Sequence, residues 1–190
     1  NKVERVGLDG SVRVIAGDMG FNELDRPYAG GDFSVSKNGV VALTSGDPLH
    51  LNQVAVASAS GVRRLTNLSS SLLDSKVLAK VQKLPVTSEF DKRPIDAWMV
   101  TPPDFATAKK YPMILEIHGG PYSAYGPQFS TDDQLYAAHG YVVVYSNPRG
   151  STSYGEDFAN GIEKAYPGHD YDDLMSVVDA AIATSHVDQN

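Results

Sequence analysis

The spacing of apolar residues changes partway along this chain, and that change restricts the fold more than any other feature. Up to residue 66 the sequence consists of short β-branched runs cut by turn residues: 3–8, then Asp9-Gly10, then 12–15. The arrangement returns as 33–35, Asn38-Gly39 and 40–44, and again as 54–57, a turn at 58–61, and 62–66. Asn-Gly and Asp-Gly supply the positive φ that tight hairpin turns require, so antiparallel strands are expected in succession. From Ile95 the texture is different. Residues 95–100 read as a strand, and 113–117, apolar but for Glu116, and the continuous run 141–145 read as strands buried on both faces. Between them 132–138 is helix-like and stops at His139-Gly140. Leu174, Val177, Val178, Ala181 and Ile182 share one face of a further helix. Asp170, Asp172 and Asp173 lie in its first turn, where carboxylates suit the helix dipole and Asp170 is placed to cap free amides. This alternation of buried-type strands and helices predicts an α/β domain with a mostly parallel sheet.

The four strands expected over 33–66 form a meander the size of one propeller blade, and 3–15 would be the last two strands of the blade before it. A blade cannot bury its faces alone, so neighbours upstream are expected; a small independent meander is the other reading. Residues 67–90 are polar, serine-rich at 69–71, and alternate weakly through Val77, Ala79 and Val81. The expected division is therefore 1–66 as the end of a β-propeller domain, 67–90 as a linker, and 91–190 as the α/β domain.

With a formal net charge of -7 and no Lys/Arg cluster, the 190 residues lack the basic face that a nucleic-acid partner needs. No stretch reaches the apolar length of a membrane span. The absence of cysteine removes disulfides, thiolate metal sites and a cysteine nucleophile from these residues. The five histidines show no metal-ligand spacing, and no metal or cofactor is expected. The chain opens on Asn1 with no basic-then-apolar leader. A cytoplasmic location is the expectation, with a periplasmic one left open.

In an α/β sheet the chemistry lies beyond the carboxyl ends of the strands, which directs attention to the loops after Ile117 and Tyr145. The first begins His118-Gly119-Gly120-Pro121 and runs on to Gly126. Paired glycines after a strand let backbone N–H groups turn outward, where they can hold an oxyanion. A tight turn needing glycine only for its φ is the alternative. The second loop contains Asn147-Pro148-Arg149-Gly150-Ser151-Thr152-Ser153-Tyr154-Gly155.

Together these loops resemble the prolyl oligopeptidase family, and its acylaminoacyl-peptidase-like branch in particular. Members of that branch show His-Gly-Gly-Pro and, further on, Asn-x-Arg-Gly-Ser-x-Gly-Tyr-Gly. The likeness extends to Gly168, Asp170, Asp173 and Leu174 ahead of a helix, back to Ala97-Trp98 and Pro102-Pro103, and to Arg64-Leu65-Thr66-Asn67 at the end of the last propeller blade. It therefore covers the whole chain in order. It implies a β-propeller capping an α/β-hydrolase domain, a Ser-Asp-His triad, peptide substrates, and assembly of the parent into homo-oligomers. Gly120 matches the backbone oxyanion donor. His118, Gly119, Pro121, Asn147, Arg149 and Gly150 match supporting loop positions, with Arg149 and Asn147 read as structural rather than catalytic. Ser153 and Pro167 stand where the family has glycine, which puts the detail of both turns in question.

Serine triad chemistry needs its nucleophile on a strand-to-helix elbow of the form G-x-S-x-G, and no such motif occurs in these residues. Ser153 and Ser123 lie one position too far from the preceding glycine. Ser185, His186 and Asp188 are neighbours along a helix end, which does not produce triad geometry. The chain is thus expected to be an excerpt of a longer serine peptidase acting on short or N-acylated peptides, inactive by itself because its triad lies beyond residue 190. An esterase of the dienelactone-hydrolase kind, which would have no propeller, and a catalytically silent binding protein are the alternatives.

Overall fold

Asp9-Gly10 closes a hairpin in the computed structural model, which describes residues 2–21 and 23–189. Gly10 takes φ +81 and Asp9 Oδ1 accepts from the Ser11 N–H at 3.0 Å, bending the chain between β1 (Val3–Val6) and β2 (Val12–Ala16). Gly39, at φ +80, does the same between β3 (Phe33–Val35) and β4 (Val41–Asp47). β5 (His50–Ser58) and β6 (Gly61–Arg64) complete a four-stranded antiparallel sheet in sequence order. Val41, Leu43, Ala55 and Ala57 alternate along β4 and β5 onto one buried face, joined by Val3, Ala16 and Met19. Gln53 is buried but satisfied: its Oε1 accepts from Thr66 Oγ1 at 2.8 Å and the Leu68 N–H at 2.9 Å, which ends the sheet.

The chain divides into two units, Asn1–Val77 with Gly126–Thr131, and Leu78–Tyr125 with Asp132–Asn190. The stretch 67–90, expected as linker, is only partly one. It holds a short helix α1 (Ser70–Leu73) and an eight-residue strand β7 (Lys80–Thr87), paired along its whole length with β8 (Pro94–Thr101). The alternation looked weak because only one face of β7 is buried, through Leu84 and Val86.

The second unit contains β9 (Met113–Glu116), α2 (Thr131–Ala138) apart from its first residue, β10 (Val142–Asn147), α3 (Glu156–Ala159) and α4 (His169–Ala183). Its sheet runs β7-β8-β10-β9. The expected mostly parallel sheet is corrected here: β7–β8 and β8–β10 are antiparallel, and only β9–β10 is parallel. A hairpin needs no crossover, so β7 and β8 pair directly, whereas β9 and β10 are joined through α2. After α4 the chain returns to the other side of β9, where Tyr111 and Val187 make a parallel bridge. Burial on both faces holds for all of β10 but not for β9, whose Met113, Ile114 and Leu115 are half-buried while Ile117 beyond it is 47% exposed.

The core of this unit joins Ile95, Ala97, Met99, Val142 and Val144 of the sheet to Val177 and Ala181 of α4. Full burial of a valine of this kind is worth about 1.5–3 kcal/mol. The inward stripe of α4 differs from the apolar face expected. Asp173 and Ser176 are buried beside Val177, while Leu174 and Val178 are half-buried, because Asp173 pairs with a buried cation. Asp170 caps no free amide of the first turn; its Oδ1 accepts from the Gly168 N–H at 2.6 Å, just before the helix. No helix among the described residues is long and apolar enough to cross a membrane.

Candidate functional site

Two loops meet beyond the carboxyl ends of β9 and β10. His118 leaves β9 with its ring buried, 8% exposed, and Gly119 and Gly120 follow as exposed residues. The His118 Nδ1 lies 3.1 Å from the Gly119 carbonyl oxygen and its Nε2 3.0 Å from Ser151 Oγ. Gly120 has φ +134, and a Cβ there would sit 3.0 Å from the Tyr122 nitrogen, so the position demands glycine. The peptide between Gly119 and Gly120 is trans, since the cis bonds among the described residues lie before Pro121 and Pro167. In a trans peptide the C=O and N–H point in opposite directions. A Gly119 carbonyl turned to the imidazole therefore sends the Gly120 N–H away from it, and among the described residues that N–H has no partner.

The far end of this loop is fixed by Asn147, the wholly buried last residue of β10. Its Oδ1 accepts from the Tyr125 N–H at 2.8 Å and its Nδ2 donates to the Tyr125 carbonyl at 2.9 Å, so one carboxamide occupies both backbone groups as a neighbouring strand would. Asn147 Nδ2 also donates to the Tyr154 hydroxyl at 2.7 Å, and that hydroxyl donates to Asp96 Oδ2 at 2.8 Å. Burial, with the Asp96 carboxylate adding to it, raises the Tyr154 pKa. Between the two ends, the Thr152 N–H donates to the Ser123 carbonyl at 2.9 Å, and Pro121 starts a tight turn in which its carbonyl accepts from the Ser123 N–H at 2.7 Å.

Arg149 anchors the second loop. Its backbone N–H and Nε both donate to Asp173 Oδ2, at 2.9 and 2.8 Å, and Nη2 donates to Asp173 Oδ1 at 2.8 Å. Ser88 Oγ at 3.2 Å, Asp91 Oδ1 at 3.3 Å and the Phe90 ring at 4.9 Å surround the rest of the guanidinium. The hydrogen bonds to Asp173 raise the Arg149 pKa above its ordinary value. Gly150 has φ +96, and a Cβ there would sit 3.0 Å from Ile162 Cγ2. Ser153 takes φ +77, a left-handed conformation that favours glycine.

The structure thus brings His118, Gly119, Gly120, Pro121, Asn147, Arg149 and Gly150 into two bonded loops. Ser151, Thr152, Asp173, Ser88 and Asp91 join them without having been singled out as site residues. Asp173 carried a signal, its place in the motif ahead of α4; Ser88 and Asp91 sit in and beside the supposed linker and carried none. Ser185, His186 and Asp188 form no triad: His186 Nδ1 is unpaired and the ring lies edge-on to Phe105, with 5.0 Å between centroids. Next to Gly120 is an open cavity of about 700 Å³, walled by Ile117, Tyr122, Ile162, Tyr171 and Leu174. Among the described residues no group of three His, Asp or Glu is placed to hold a metal ion.

Burial lowers the His118 pKa from its ordinary 6.5, with hydrogen bonds to the Gly119 carbonyl and the Asn147 side chain partly offsetting it. A group depressed in this way binds its proton more weakly folded than unfolded. Stability present above pH 6.5 is therefore expected to fall as pH drops below that value. Denaturant unfolding of the wild type and of His118→Gln across pH reads this directly. Their difference should be constant above pH 6.5 and shift below it; a constant difference throughout would refute the assignment.

Residues 127–190 match the prolyl oligopeptidase family. The chain is 37% identical over 127 residues to the uncharacterized peptidase YuxL of Bacillus subtilis, covering 66% of this chain and 19% of that protein. It is 42% identical over 83 residues to dipeptidyl-peptidase 5 of Aspergillus fumigatus, covering 43% and 12% respectively. Among solved structures, the acylaminoacyl peptidase of Pyrococcus horikoshii superposes on 95% of this chain and 28% of its own, with a TM-score of 0.79 and 25% identity. The chain therefore spans about a fifth or less of the curated relatives it matches.

Proposed function

Because the chain belongs to the prolyl oligopeptidase family, we propose that it is part of a serine peptidase that cleaves short or N-acylated peptides by acyl transfer. Within it, Gly120 donates its backbone N–H to the oxyanion. The observation that carries this reading is the Gly119–Gly120 peptide, with its carbonyl turned to His118 and its N–H unpaired beside a cavity. When a serine hydroxyl attacks a peptide carbonyl and gives its proton to a base, the carbonyl oxygen takes on negative charge, and a donor fixed beforehand stabilises that charge without reorganising. The nucleophile, its base and the second donor come from polypeptide outside these 190 residues, since the relatives are several times longer and no G-x-S-x-G occurs here. In the same reading, residues 1–66 are the end of a β-propeller and 91–190 the opening part of an α/β-hydrolase domain. The antiparallel meander β3–β6 and the order β7-β8-β10-β9 with Val187 beyond it support that division. Peptide substrates are the class named for the relatives, as dipeptidyl-peptidase and acylaminoacyl peptidase.

A fluorophosphonate probe tests the proposal. The full-length protein should be labelled at one serine outside residues 1–190, and the 190-residue segment should stay unlabelled. Labelling of Ser123 or Ser153 would overturn the reading, as would a full-length protein that takes no label.

A further inference from the structure

The groups beside His118 bear on which nitrogen of the neutral ring holds the proton. The Gly119 carbonyl, 3.1 Å from Nδ1, can only accept, so a lone pair on Nδ1 would face another lone pair. With the proton on Nδ1, Nε2 becomes an acceptor and needs a donor. The group beside it is the hydroxyl of Ser151, a residue with no exposed surface, at 3.0 Å. That hydroxyl has one proton and a second partner, the Pro148 carbonyl at 2.7 Å. The Pro148 carbonyl, however, also accepts from the Ser151 backbone N–H at 3.1 Å, so it stays paired when the hydroxyl turns to the ring. The Asn147 side chain hydrogen-bonds the imidazole too, but as an acceptor through Oδ1, because both Nδ2 hydrogens go to Tyr125 and Tyr154; it cannot supply the donor that Nε2 needs.

We infer that Ser151 is a positioning residue: its hydroxyl donates to Nε2 of neutral His118, keeps the ring proton on Nδ1, and so holds the Gly119 carbonyl and the outward aim of the Gly120 N–H. This rests on the reading of that N–H as the oxyanion donor. Ser151 touches no reacting atom; it acts through the imidazole and one peptide plane.

The test uses the full-length protein and two readouts. Nitrogen-15 NMR of labelled histidine, with His118 assigned by its loss in His118→Gln, should show the Nδ1–H tautomer in the wild type. Kinetics of Ser151→Ala should show kcat down roughly tenfold, the worth of one net hydrogen bond, with KM within about twofold, and Ser151→Thr should restore most of kcat. An Nε2–H tautomer in the wild type overturns the inference, and so does an unchanged kcat in Ser151→Ala. Should the threonine variant not fold, the wild-type tautomer still decides. A protein with the Nδ1–H tautomer that turns over no peptide or ester supports the tautomer lock while sinking the peptidase reading.

Discussion

Replacing Asp173 by alanine should destabilise the protein by about 3–5 kcal/mol, the usual cost of leaving one member of a buried ion pair uncompensated. Asp173 has no exposed surface and Arg149 is 5% exposed, so solvent cannot take over the cation. The substitution removes three hydrogen bonds to Arg149 at once, one of them from its backbone N–H. What remains for the guanidinium is Ser88 at 3.2 Å, Asp91 at 3.3 Å and the Phe90 ring at 4.9 Å, all from the segment between β7 and β8. Thermal unfolding should reflect this as a drop in Tm of roughly 10 °C. The double variant Arg149→Met with Asp173→Leu should recover much of the loss, because removing both charges also removes the desolvation they suffer. A single alanine variant with an unshifted Tm would show that the pair is not buried as described.

In the full-length protein, if Gly120 is the oxyanion donor as proposed, Gly120→Ala should lower kcat by about 10²–10³-fold, the range seen when one such donor is lost, with a much smaller effect on KM. The N–H survives this substitution, so the loss is one of aim. At φ +134 an alanine carries strain on the order of 1–3 kcal/mol, and its Cβ would press on the Tyr122 nitrogen at 3.0 Å and Ser123 Cβ at 3.4 Å. Rotating the peptide relieves both and turns the N–H away. Gly119→Ala is the matched control. A Cβ at Gly119 meets nothing within 4 Å, and its φ lies outside the left-handed region, so its kcat should stay within a few-fold of wild type. Equal losses in the two variants would mean that this loop tolerates no side chain anywhere, and the special standing of Gly120 would be lost.

The parts of this chain legible in its sequence are those set by local chemistry. Asp9-Gly10 and Asn38-Gly39 announced their turns because the left-handed φ found at Gly10 and Gly39 is costly for other residues. β10 was legible through the apolar run 141–145, whose Val142 to Tyr145 have no exposed surface, while its buried Ser146 and Asn147 carried no such signal. The glycine loop and the Asn147–Gly155 stretch were recognisable, but their mutual bonding was not: His118 and Ser151 are 33 positions apart, and nothing local marks the pair. β7 stayed hidden because most of its residues, Lys80, Gln82, Lys83, Pro85 and Thr87, are exposed and resemble loop composition. The direction of β8 was equally invisible, since an apolar run looks the same in a parallel and an antiparallel neighbour. Asp173 was legible as a first-turn carboxylate and a motif residue; its inward pairing was not, because its cation lies 24 positions earlier.

The stretch Gly126–Thr131 interrupts the second unit in sequence yet clusters with the first. Its Gly126 N–H donates to the Pro27 carbonyl at 2.9 Å, its Thr131 N–H to Leu24 at 3.0 Å, and its Ser130 hydroxyl to Asp25 at 2.7 Å. A polypeptide started at Leu78 would keep β7 to β10 and α4 intact while stripping three donors of their acceptors. The two halves of this chain are consequently not interchangeable modules. Grafting the second onto a foreign first half requires carrying residues 24–27 along, or redesigning 126–131 to live without them.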